Sequence, residues 1–468
     1  MDRIDTDICV IGAGSAGLSV AAGAVQMGAR VVLIEGAEMG GDCLNRGCVP
    51  SKALLAAAKH AHAMGTGGAF GVAPVVPRID FAGAKAHVDR TIAAIAPHDS
   101  QERFEGLGVR VIRDWGRFTS PREVQAGDTT IRARRFVVAT GSRPAIPPIP
   151  GIEDVAVLTN ETIFALRERP EHLLIVGGGP IGMEMAQAHA RLGSKVTVIE
   201  GATALGRDDP EAATLVKSRL RAEGVEILEQ AEARRIAPGI TVETSAGTVT
   251  GSHLLVAAAR RAALDRLDLD AAGVDHDAKG VKVDAALRTT NRRVHAIGDA
   301  AGGLQFTHLA GYHAGVIVRS MLFALPAKAR TDHIPWVTYT DPELAQIGPT
   351  EAEARERHGA RLKVVRAEYA GNDRAQAEGR TDGFVKVMVV RGRPVGATLV
   401  GAQAGELVAP WALAIANGLK MQALTAMVAP YPTLGELNKR AAGAYFSPKL
   451  FGSPVVKRIV GLVQRLVP

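Results

Sequence analysis

Two of the three cysteines in this 468-residue sequence, Cys43 and Cys48, lie five positions apart in a glycine-rich segment. Such a pair can form a redox-active disulfide, remain as free thiols or hold a metal ion. On a regular helix, residues five apart point about 140° away from each other, whereas a disulfide needs Cα atoms roughly 5.5 to 6 Å apart. Gly47 and Pro50 would permit the necessary distortion. We predict a strained, redox-active disulfide, with free thiols and a two-ligand metal site as the alternatives.

The elements that position this pair are indicated by a repeat. An apolar β-like run, a glycine cluster, an Ala-rich helical stretch and a second β-like run ending in Glu occur over Ile8 to Glu35 and again over Leu173 to Glu200. Both copies contain G-x-G-x-x-G, formed by Gly12, Gly14 and Gly17 and by Gly177, Gly179 and Gly182. Two copies at equal spacing predict two dinucleotide-binding folds, in which a helix N-terminus faces the diphosphate and the Glu accepts hydrogen bonds from a ribose.

The cysteine segment follows Glu35 almost at once, so this fold carries the thiols towards the reactive end of the first dinucleotide. Cys9 differs from the pair because it lies inside an apolar β-like run. We expect Cys9 to be a buried, inert thiol.

The motifs together resemble the class I pyridine nucleotide-disulfide oxidoreductases, the flavoprotein family of dihydrolipoamide dehydrogenase, glutathione reductase and mercuric reductase. The resemblance extends from about Asp5 to Phe446. It implies FAD in the first dinucleotide fold, a nicotinamide cofactor in the second, and a homodimer whose subunits share the active site.

The fold class expected is α/β, with two Rossmann-like domains and a C-terminal α+β dimerisation domain. The expected boundaries are 1–150 for the first part of the FAD-binding domain, 151–264 for the NAD(P)-binding domain, 265–334 for a central FAD-binding part, 335–446 for the dimerisation domain and 447–468 for a basic amphipathic tail.

Roles for individual residues are implied by the same resemblance. Cys48 would be the thiol that forms a charge-transfer complex with the flavin, and Cys43 the interchange thiol that meets the substrate. Lys52 and Glu184 resemble the pair near flavin N5, and Asp299 resembles the Asp that contacts the ribitol. Further cofactor-binding positions are expected at Gly41, Thr140, Gly141 and Gly298.

The second ribose position predicts a preference for NADH over NADPH. The Glu200 carboxylate suits a free 2′-hydroxyl but repels a 2′-phosphate. The three residues that follow, Gly201 to Thr203, supply no arginine to offset that charge, and the nearest, Arg207, lies further along the chain.

The sequence departs from the family near its C-terminal end. Disulfide reductases of the family usually have His-Pro there with Glu five residues after the His, but this chain has Tyr431 and retains Glu436. A phenol with a pKa near 10 is poorly matched to proton transfer at neutral pH, whereas imidazole is well matched. Mercuric reductases resemble this chain in having Tyr, but they carry a C-terminal vicinal cysteine pair that this sequence lacks. A second departure, over Ala257 to Ala263, is interpreted as a local change of turn.

The resulting functional prediction is an oxidoreductase that passes electrons from NADH through FAD and the Cys43–Cys48 disulfide to a disulfide or dithiol substrate. The alternatives are reduction of a soft metal ion such as Hg(II), because thiolates suit soft metals, and reduction of a membrane-associated redox protein or quinone. We predict a redox role for the thiols and no resident metal site.

Composition excludes several other classes. Hydrophobic residues make up 47% of the chain and charged residues 22%, which is typical of a globular protein rather than a disordered one. The formal net charge of +7 is spread along the chain with few aromatic residues for stacking, so we expect no nucleic-acid partner. The sequence has no signal-peptide or membrane-spanning pattern, and we expect a cytoplasmic protein.

The tail after Ser447 contains Lys449, Lys457, Arg458 and Arg465 and no acidic residue. On a helical wheel its apolar residues form one face, made of Val456, Ile459, Val460, Leu462, Val463, Leu466 and Val467. A basic amphipathic helix of this kind either lies on an anionic membrane surface or docks on the protein body or the dimer partner.

Overall fold

The structure is a computed structural model that describes residues 2–467 and has a mixed α/β architecture with three principal sheets. The strands are β1 (Asp2–Ile11), β2 (Val31–Ile34), β3 (Arg110–Ile112), β4 (Gly116–Ser120), β5 (Glu123–Ala126), β6 (Thr129–Val138), β7 (Ser142–Ala145), β8 (Val157–Leu158), β9 (His172–Val176), β10 (Lys195–Ile199), β11 (Glu226–Leu228), β12 (Ala233–Ala237), β13 (Thr241–Thr244), β14 (Gly247–Thr250), β15 (His253–Val256), β16 (Ala259–Ala262), β17 (His276–Asp277), β18 (Gly280–Val281), β19 (Val294–Ala296), β20 (Pro335–Thr338), β21 (Glu343–Ile347), β22 (Leu362–Glu368), β23 (Phe384–Val390) and β24 (Arg393–Gly401).

The helices are α1 (Ser15–Gln26), α2 (Gly41–Arg46), α3 (Cys48–Gly65), α4 (Phe81–Ile95), α5 (Gln101–Gly106), α6 (Pro180–Arg191), α7 (Pro210–Ala222), α8 (Thr307–Phe323), α9 (Glu351–His358), α10 (Asp373–Ala377), α11 (Ala404–Leu407), α12 (Ala409–Ala416), α13 (Met421–Ala426), α14 (Glu436–Ala444), α15 (Ser447–Phe451) and α16 (Pro454–Leu466).

The first sheet has the order β3-β2-β1-β6-β5-β4. Strand β19 pairs with the carboxyl-terminal end of β6. Strands β3, β2, β1, β6 and β19 run parallel, and β5 and β4 extend the sheet as an antiparallel ribbon. All residues of β2 are buried, as expected for a strand covered on both faces. Because the parallel strands share a direction, the loops after β1, β2, β6 and β19 meet at one edge.

The second sheet, β11-β10-β9-β15-β8, is parallel and repeats the arrangement of β1, α1 and β2 in β9, α6 and β10. In each copy the helix begins three residues after the first glycine of the motif, at Ser15 and at Pro180. The N–H of Gly12 donates to the Ile34 carbonyl at 2.8 Å, and that of Gly177 donates to the Ile199 carbonyl at 2.9 Å. The predicted pair of Rossmann-like folds is confirmed.

The C-terminal sheet, β20-β21-β24-β23-β22, is antiparallel throughout. Helices α12 and α14 pack against it, and its core is centred on the fully buried side chains of Trp411 and Tyr369. This is the expected α+β C-terminal unit. Within residues 2–467, no helix is both long enough and apolar enough to cross a bilayer.

Candidate active site

The two cysteines of the predicted redox pair lie on consecutive helices rather than on one. Helix α2 ends at Arg46, Gly47 forms the break, and Cys48 is the first residue of α3. A Cβ atom at position 47 would lie 3.0 Å from the Asp42 carbonyl oxygen and 3.3 Å from the Cys43 Cα, so glycine allows the close approach of the two helices. Both cysteines are free thiols in this structure, which is the reduced form of the pair.

The thiol pair is electrostatically asymmetric. The pKa of Cys48 is lowered to about 6, chiefly by a hydrogen bond from the Cys43 thiol and also by the Thr307 hydroxyl and the Lys52 charge, against the cost of burial. The Cys48 sulfur lies 3.4 Å from Thr307 Oγ1. The same hydrogen bond, together with burial, raises the pKa of Cys43 far above its ordinary value. The reduced pair therefore holds a thiolate at Cys48 and a proton at Cys43.

This asymmetry gives a testable pH dependence. Iodoacetamide should alkylate one thiol of the reduced protein with an apparent pKa of about 6, so that the rate is close to its plateau at neutral pH and falls as the pH drops below 6. Mass spectrometry after short exposure should place the label on Cys48. Replacing Cys43 by Ala removes the hydrogen-bond donor and should raise this pKa. An apparent pKa near the ordinary thiol value of about 8.5 would contradict the assignment.

Behind Cys48, the structure joins two residues that are far apart in the sequence. The Lys52 Nζ lies 2.9 Å from Glu184 Oε2, linking α3 to α6. The other oxygen of Glu184, which is buried, accepts the backbone N–H of Tyr339 at 2.9 Å. The Lys52 ammonium also lies 4.3 Å from the centre of the Tyr339 ring. The sequence predicted the first two residues as a pair but gave no sign of Tyr339.

Glu35 and Glu200, the two glutamates predicted to bind ribose, each accept hydrogen bonds from two backbone N–H groups. Glu35 accepts the backbone N–H groups of Ala13 and Ala37 at 2.6 and 2.7 Å. Glu200 accepts those of Gly178 and Ala202 at 2.7 and 2.9 Å. Each carboxylate is therefore fixed at the carboxyl end of its strand, beside the first glycine of the motif.

The neighbouring strand ends carry the other predicted cofactor residues. Gly141 and Gly298 adopt left-handed φ values of +70° and +60°, three residues after β6 and two residues after β19, and these two strands are adjacent in the sheet. Asp299 accepts the Ser142 hydroxyl at 2.5 Å, and burial raises the pKa of this carboxyl. The structure thus brings Thr140, Gly141, Gly298 and Asp299 to one edge of the first sheet.

Arg260 connects this edge to the cysteine helix. Its guanidinium donates to the Ser142 hydroxyl at 2.8 Å and to Asp42 Oδ2 at 2.9 Å. The other oxygen of Asp42 accepts the Asn160 amide at 2.9 Å. The prediction of a turn here was wrong, because the segment containing Arg260 is strand β16, which pairs antiparallel with β7.

A cavity of about 60 Å³ lies at the carboxyl end of β1, between Gly12, Glu35 and Thr140. The Trp115 ring forms one wall, lies against Gly36, and has the Arg266 guanidinium 4.1 Å from its ring centre. Sequence reasoning missed Trp115. Trp115 is one of three Trp residues in the chain and lies just beyond the end of β3, where ligands of parallel sheets bind.

The residues present fit a dinucleotide in each fold. Gly14 and Gly179 have extended backbones. A Cβ atom at position 179 would meet nothing within 4 Å, and one at position 14 would meet only the Gly41 Cα, at 3.8 Å. Each therefore leaves an open cradle before a helix N-terminus, where the backbone can approach a diphosphate. Gly41, with φ of +62°, lies opposite Gly14, and its Cβ would come within 2.7 Å of the Gly14 Cα. In the first fold, the buried Thr140 Oγ1 has no hydrogen-bond partner among residues 2–467, as expected for a ligand contact.

Tyr431 and Glu436 lie in the C-terminal unit, just before and at the start of α14. The Tyr431 side chain is exposed, and its hydroxyl donates to Asp373 Oδ2 at 3.1 Å, which raises the pKa of the phenol. Glu436 Oε2 is buried and has no hydrogen-bond partner within the part of the chain that the structure describes. Between residues 2 and 467, neither side chain hydrogen-bonds to Cys43, Cys48, Lys52 or Glu184.

Comparison with known proteins is consistent with this arrangement. Residues 6–314 match the family described as pyridine nucleotide-disulphide oxidoreductase, and residues 334–442 match its dimerisation domain. A mercuric reductase of Acidithiobacillus ferrooxidans is 35% identical over 95% of this chain and 83% of the relative. A dihydrolipoyl dehydrogenase of Bacillus subtilis is 33% identical over 92% of this chain and 96% of the relative.

Solved structures of similar proteins include a Cu(II) complex of the HOCl-induced flavoprotein disulfide reductase RclA from Escherichia coli. It has a TM-score of 0.83 and 29% identity over 93% of this chain and 99% of that one. LpdA from Mycobacterium tuberculosis has a TM-score of 0.86 and 26% identity over 95% of this chain and 99% of that one.

The two nucleotide folds, the thiol pair beside them and the dimerisation domain define a flavin-dependent oxidoreductase that takes its electrons from NAD(P)H. The chain belongs to the pyridine nucleotide-disulphide oxidoreductase family. The predicted enzyme class, the use of FAD and NAD(P)H, and the homodimer are thereby confirmed.

Proposed function

We propose that this enzyme passes electron pairs from NADH, through FAD and the Cys43–Cys48 pair, to an acceptor that thiolates bind directly, with a soft metal dication favoured over a disulfide. Bound FAD would supply the exchange between the hydride of the nicotinamide and the electron pair of the dithiol. The observation that carries this proposal is the geometry of the α2–α3 break, where Gly47 lets Cys43 approach Cys48 and Thr307 Oγ1 lies 3.4 Å from the Cys48 sulfur. This environment lowers the pKa of Cys48 and raises that of Cys43.

The protein groups have distinct proposed roles. Reducing the disulfide takes two electrons and one proton, which leaves Cys48 as thiolate and Cys43 as thiol. Thr307 and Lys52 stabilise that thiolate, and Glu184 holds Lys52 in place. Cys43 then faces the acceptor, and the Arg260–Asp42 contact fixes the helix that carries Cys43.

Proton demand separates the two acceptor classes. Reducing a disulfide to two thiols consumes two electrons and two protons, whereas reducing a metal dication to the neutral atom consumes two electrons and none. Tyr431 is the residue at the position where disulfide reductases carry His, and its bond to Asp373 makes the phenol a still weaker acid. This favours the acceptor that needs no proton, and thiolates are suitable ligands for a soft ion.

A disulfide substrate remains the second candidate because of Glu436. Its buried, unpartnered carboxyl oxygen is available to orient a proton-transfer group at position 431. We propose that Tyr431 and Glu436 of one subunit complete the cysteine site of the other, since among residues 2–467 neither side chain hydrogen-bonds to a cysteine of its own chain.

The test compares NADH oxidation by the FAD-loaded dimer with Hg(II) in excess thiol and with lipoamide or glutathione disulfide. We expect Hg(II) to be the better acceptor, and Tyr431→His to raise disulfide turnover by about tenfold or more, because an imidazole contributes roughly 10²- to 10⁴-fold as a general acid–base. Tyr431→Phe is the matched control and should leave disulfide turnover low. Fast disulfide turnover by the unmodified enzyme, unchanged by Tyr431→His, would overturn the preference for a metal ion.

NADH is the proposed donor because Glu200 is held by the Gly178 and Ala202 backbone groups, so its charge cannot easily move away from a 2′-phosphate. We expect kcat/KM to be higher with NADH than with NADPH in steady-state assays. Replacing Glu200 by Gln should reduce the difference in kcat/KM between NADH and NADPH. A clear preference for NADPH in the unmodified enzyme would refute the assignment.

A further inference from the structure

Helix α16 exposes a series of large apolar side chains. None of its residues is buried. Ile459, Leu462 and Leu466 are 54%, 56% and 77% exposed, although side chains of this kind are normally removed from water. A contiguous exposed apolar face marks a surface that contacts something else.

Helix α16 is strongly amphipathic. At 100° per residue, its apolar side chains occupy one arc, made of Val455, Val456, Ile459, Val460, Leu462, Val463 and Leu466. Lys457, Arg458 and Arg465 lie on the remaining side. Ser453 caps the helix N-terminus by accepting the Val456 N–H at 3.3 Å, so the helix has a defined start.

The positive charge of this C-terminal segment indicates which kind of surface the apolar face of α16 contacts. No Asp or Glu occurs from Leu437 to Val467, whereas Lys449 on the preceding helix adds a further positive charge to this segment. A second copy of the chain has a formal net charge of +7 and would bring the same cationic tail against this one. An anionic surface complements it, and a lipid bilayer offers both negative headgroups and an apolar layer beneath them.

We propose that α16 binds flat in the interface of an anionic lipid bilayer, with Ile459, Leu462 and Leu466 inserted and the cationic side towards the headgroups. The helix is about 20 Å long at 1.5 Å per residue, shorter than the roughly 30 Å hydrocarbon core, so it lies along the membrane rather than across it. This inference does not depend on which acceptor the enzyme reduces.

The test is co-sedimentation of the full-length, FAD-loaded dimer with vesicles of phosphatidylcholine alone or mixed with phosphatidylglycerol. Flavin absorbance in the pellet measures binding without any activity assay. We expect binding at least about tenfold tighter on the anionic vesicles, weakening as salt is raised, because Lys and Arg near an anionic surface add attraction that salt screens.

Three variants identify the surface. The double variant Ile459→Asn and Leu462→Asn removes two inserted side chains and should lower binding by about tenfold or more, and Lys457→Glu with Arg458→Glu should abolish the preference for anionic lipid. Val76→Asn is the matched control, because Val76 is an exposed apolar residue outside the tail, and it should bind normally.

Two outcomes would overturn the proposal. The first is equal partitioning of the full-length protein and the Ile459/Leu462 variant. The second is failure to bind anionic vesicles combined with a shift from dimer to monomer in the Ile459/Leu462 variant, seen by sedimentation velocity. That second result would assign the face to the dimer partner.

Discussion

Replacing Cys43 by Ser will leave NADH able to reduce the bound FAD but will lower turnover of the external acceptor by about a thousandfold or more. The reason is chemical, since a hydroxyl can neither form the disulfide with Cys48 nor bind a soft ion as a thiolate does. Anaerobic stopped-flow absorbance follows the flavin, and steady-state NADH consumption follows the acceptor.

Two further variants separate the roles of the cysteines and provide a control. Cys48→Ser should also abolish turnover and should additionally remove the long-wavelength charge-transfer absorbance that a thiolate beside the flavin produces, whereas Cys43→Ser should retain it. Cys9→Ala is the control, because Cys9 is fully buried in β1 and its pKa is raised by that burial, so turnover should stay within about twofold. Normal turnover in Cys43→Ser would contradict the proposal that electrons reach the acceptor through the Cys43–Cys48 pair.

Replacing Gly182 by Ala will lower kcat/KM for NADH by about a hundredfold or more while the protein keeps its FAD. A Cβ atom at position 182 would lie 2.0 Å from the Gly177 carbonyl oxygen, so the start of α6 must move away from the turn that faces the diphosphate. Flavin content by absorbance and NADH kinetics measure the two effects separately.

The corresponding experiment in the first nucleotide fold replaces Gly17, which occupies the same position in the first glycine motif as Gly182 does in the second. A Cβ atom at Gly17 would lie 1.8 Å from the Gly12 carbonyl oxygen, so Gly17→Ala should yield protein that has lost FAD. Gly315→Ala is the control, since a Cβ there meets nothing within 4 Å on an exposed face of α8. Loss of FAD in Gly182→Ala, with NADH kinetics spared in any protein that retains flavin, would reverse the assignment of the two folds.

The sequence alone determined the features that depend on local chemistry. The repeated glycine spacing predicted β1-α1-β2 and β9-α6-β10, because a strand, a tight turn and a helix within about 30 residues leave few other ways to fold. The Cys43–Cys48 spacing with Gly47 between them predicted a distorted helix carrying a thiol pair. Both signals are contained in neighbouring residues and need no knowledge of the rest of the chain.

Only the tertiary structure decided the contacts that join distant segments. The charge partner of Lys52 is 132 residues away, and Arg260 reaches Asp42 across 218 residues. The family resemblance paired Lys52 with Glu184, but no local pattern encodes either contact. They arise where separate elements pack together, α3 against α6 in the first case and β16 beside α2 in the second. The opposite pKa shifts of Cys43 and Cys48, the position of Trp115 and the uncovered face of α16 were decided in the same way, because burial and electrostatic interaction depend on neighbours that the chain supplies only once it is folded.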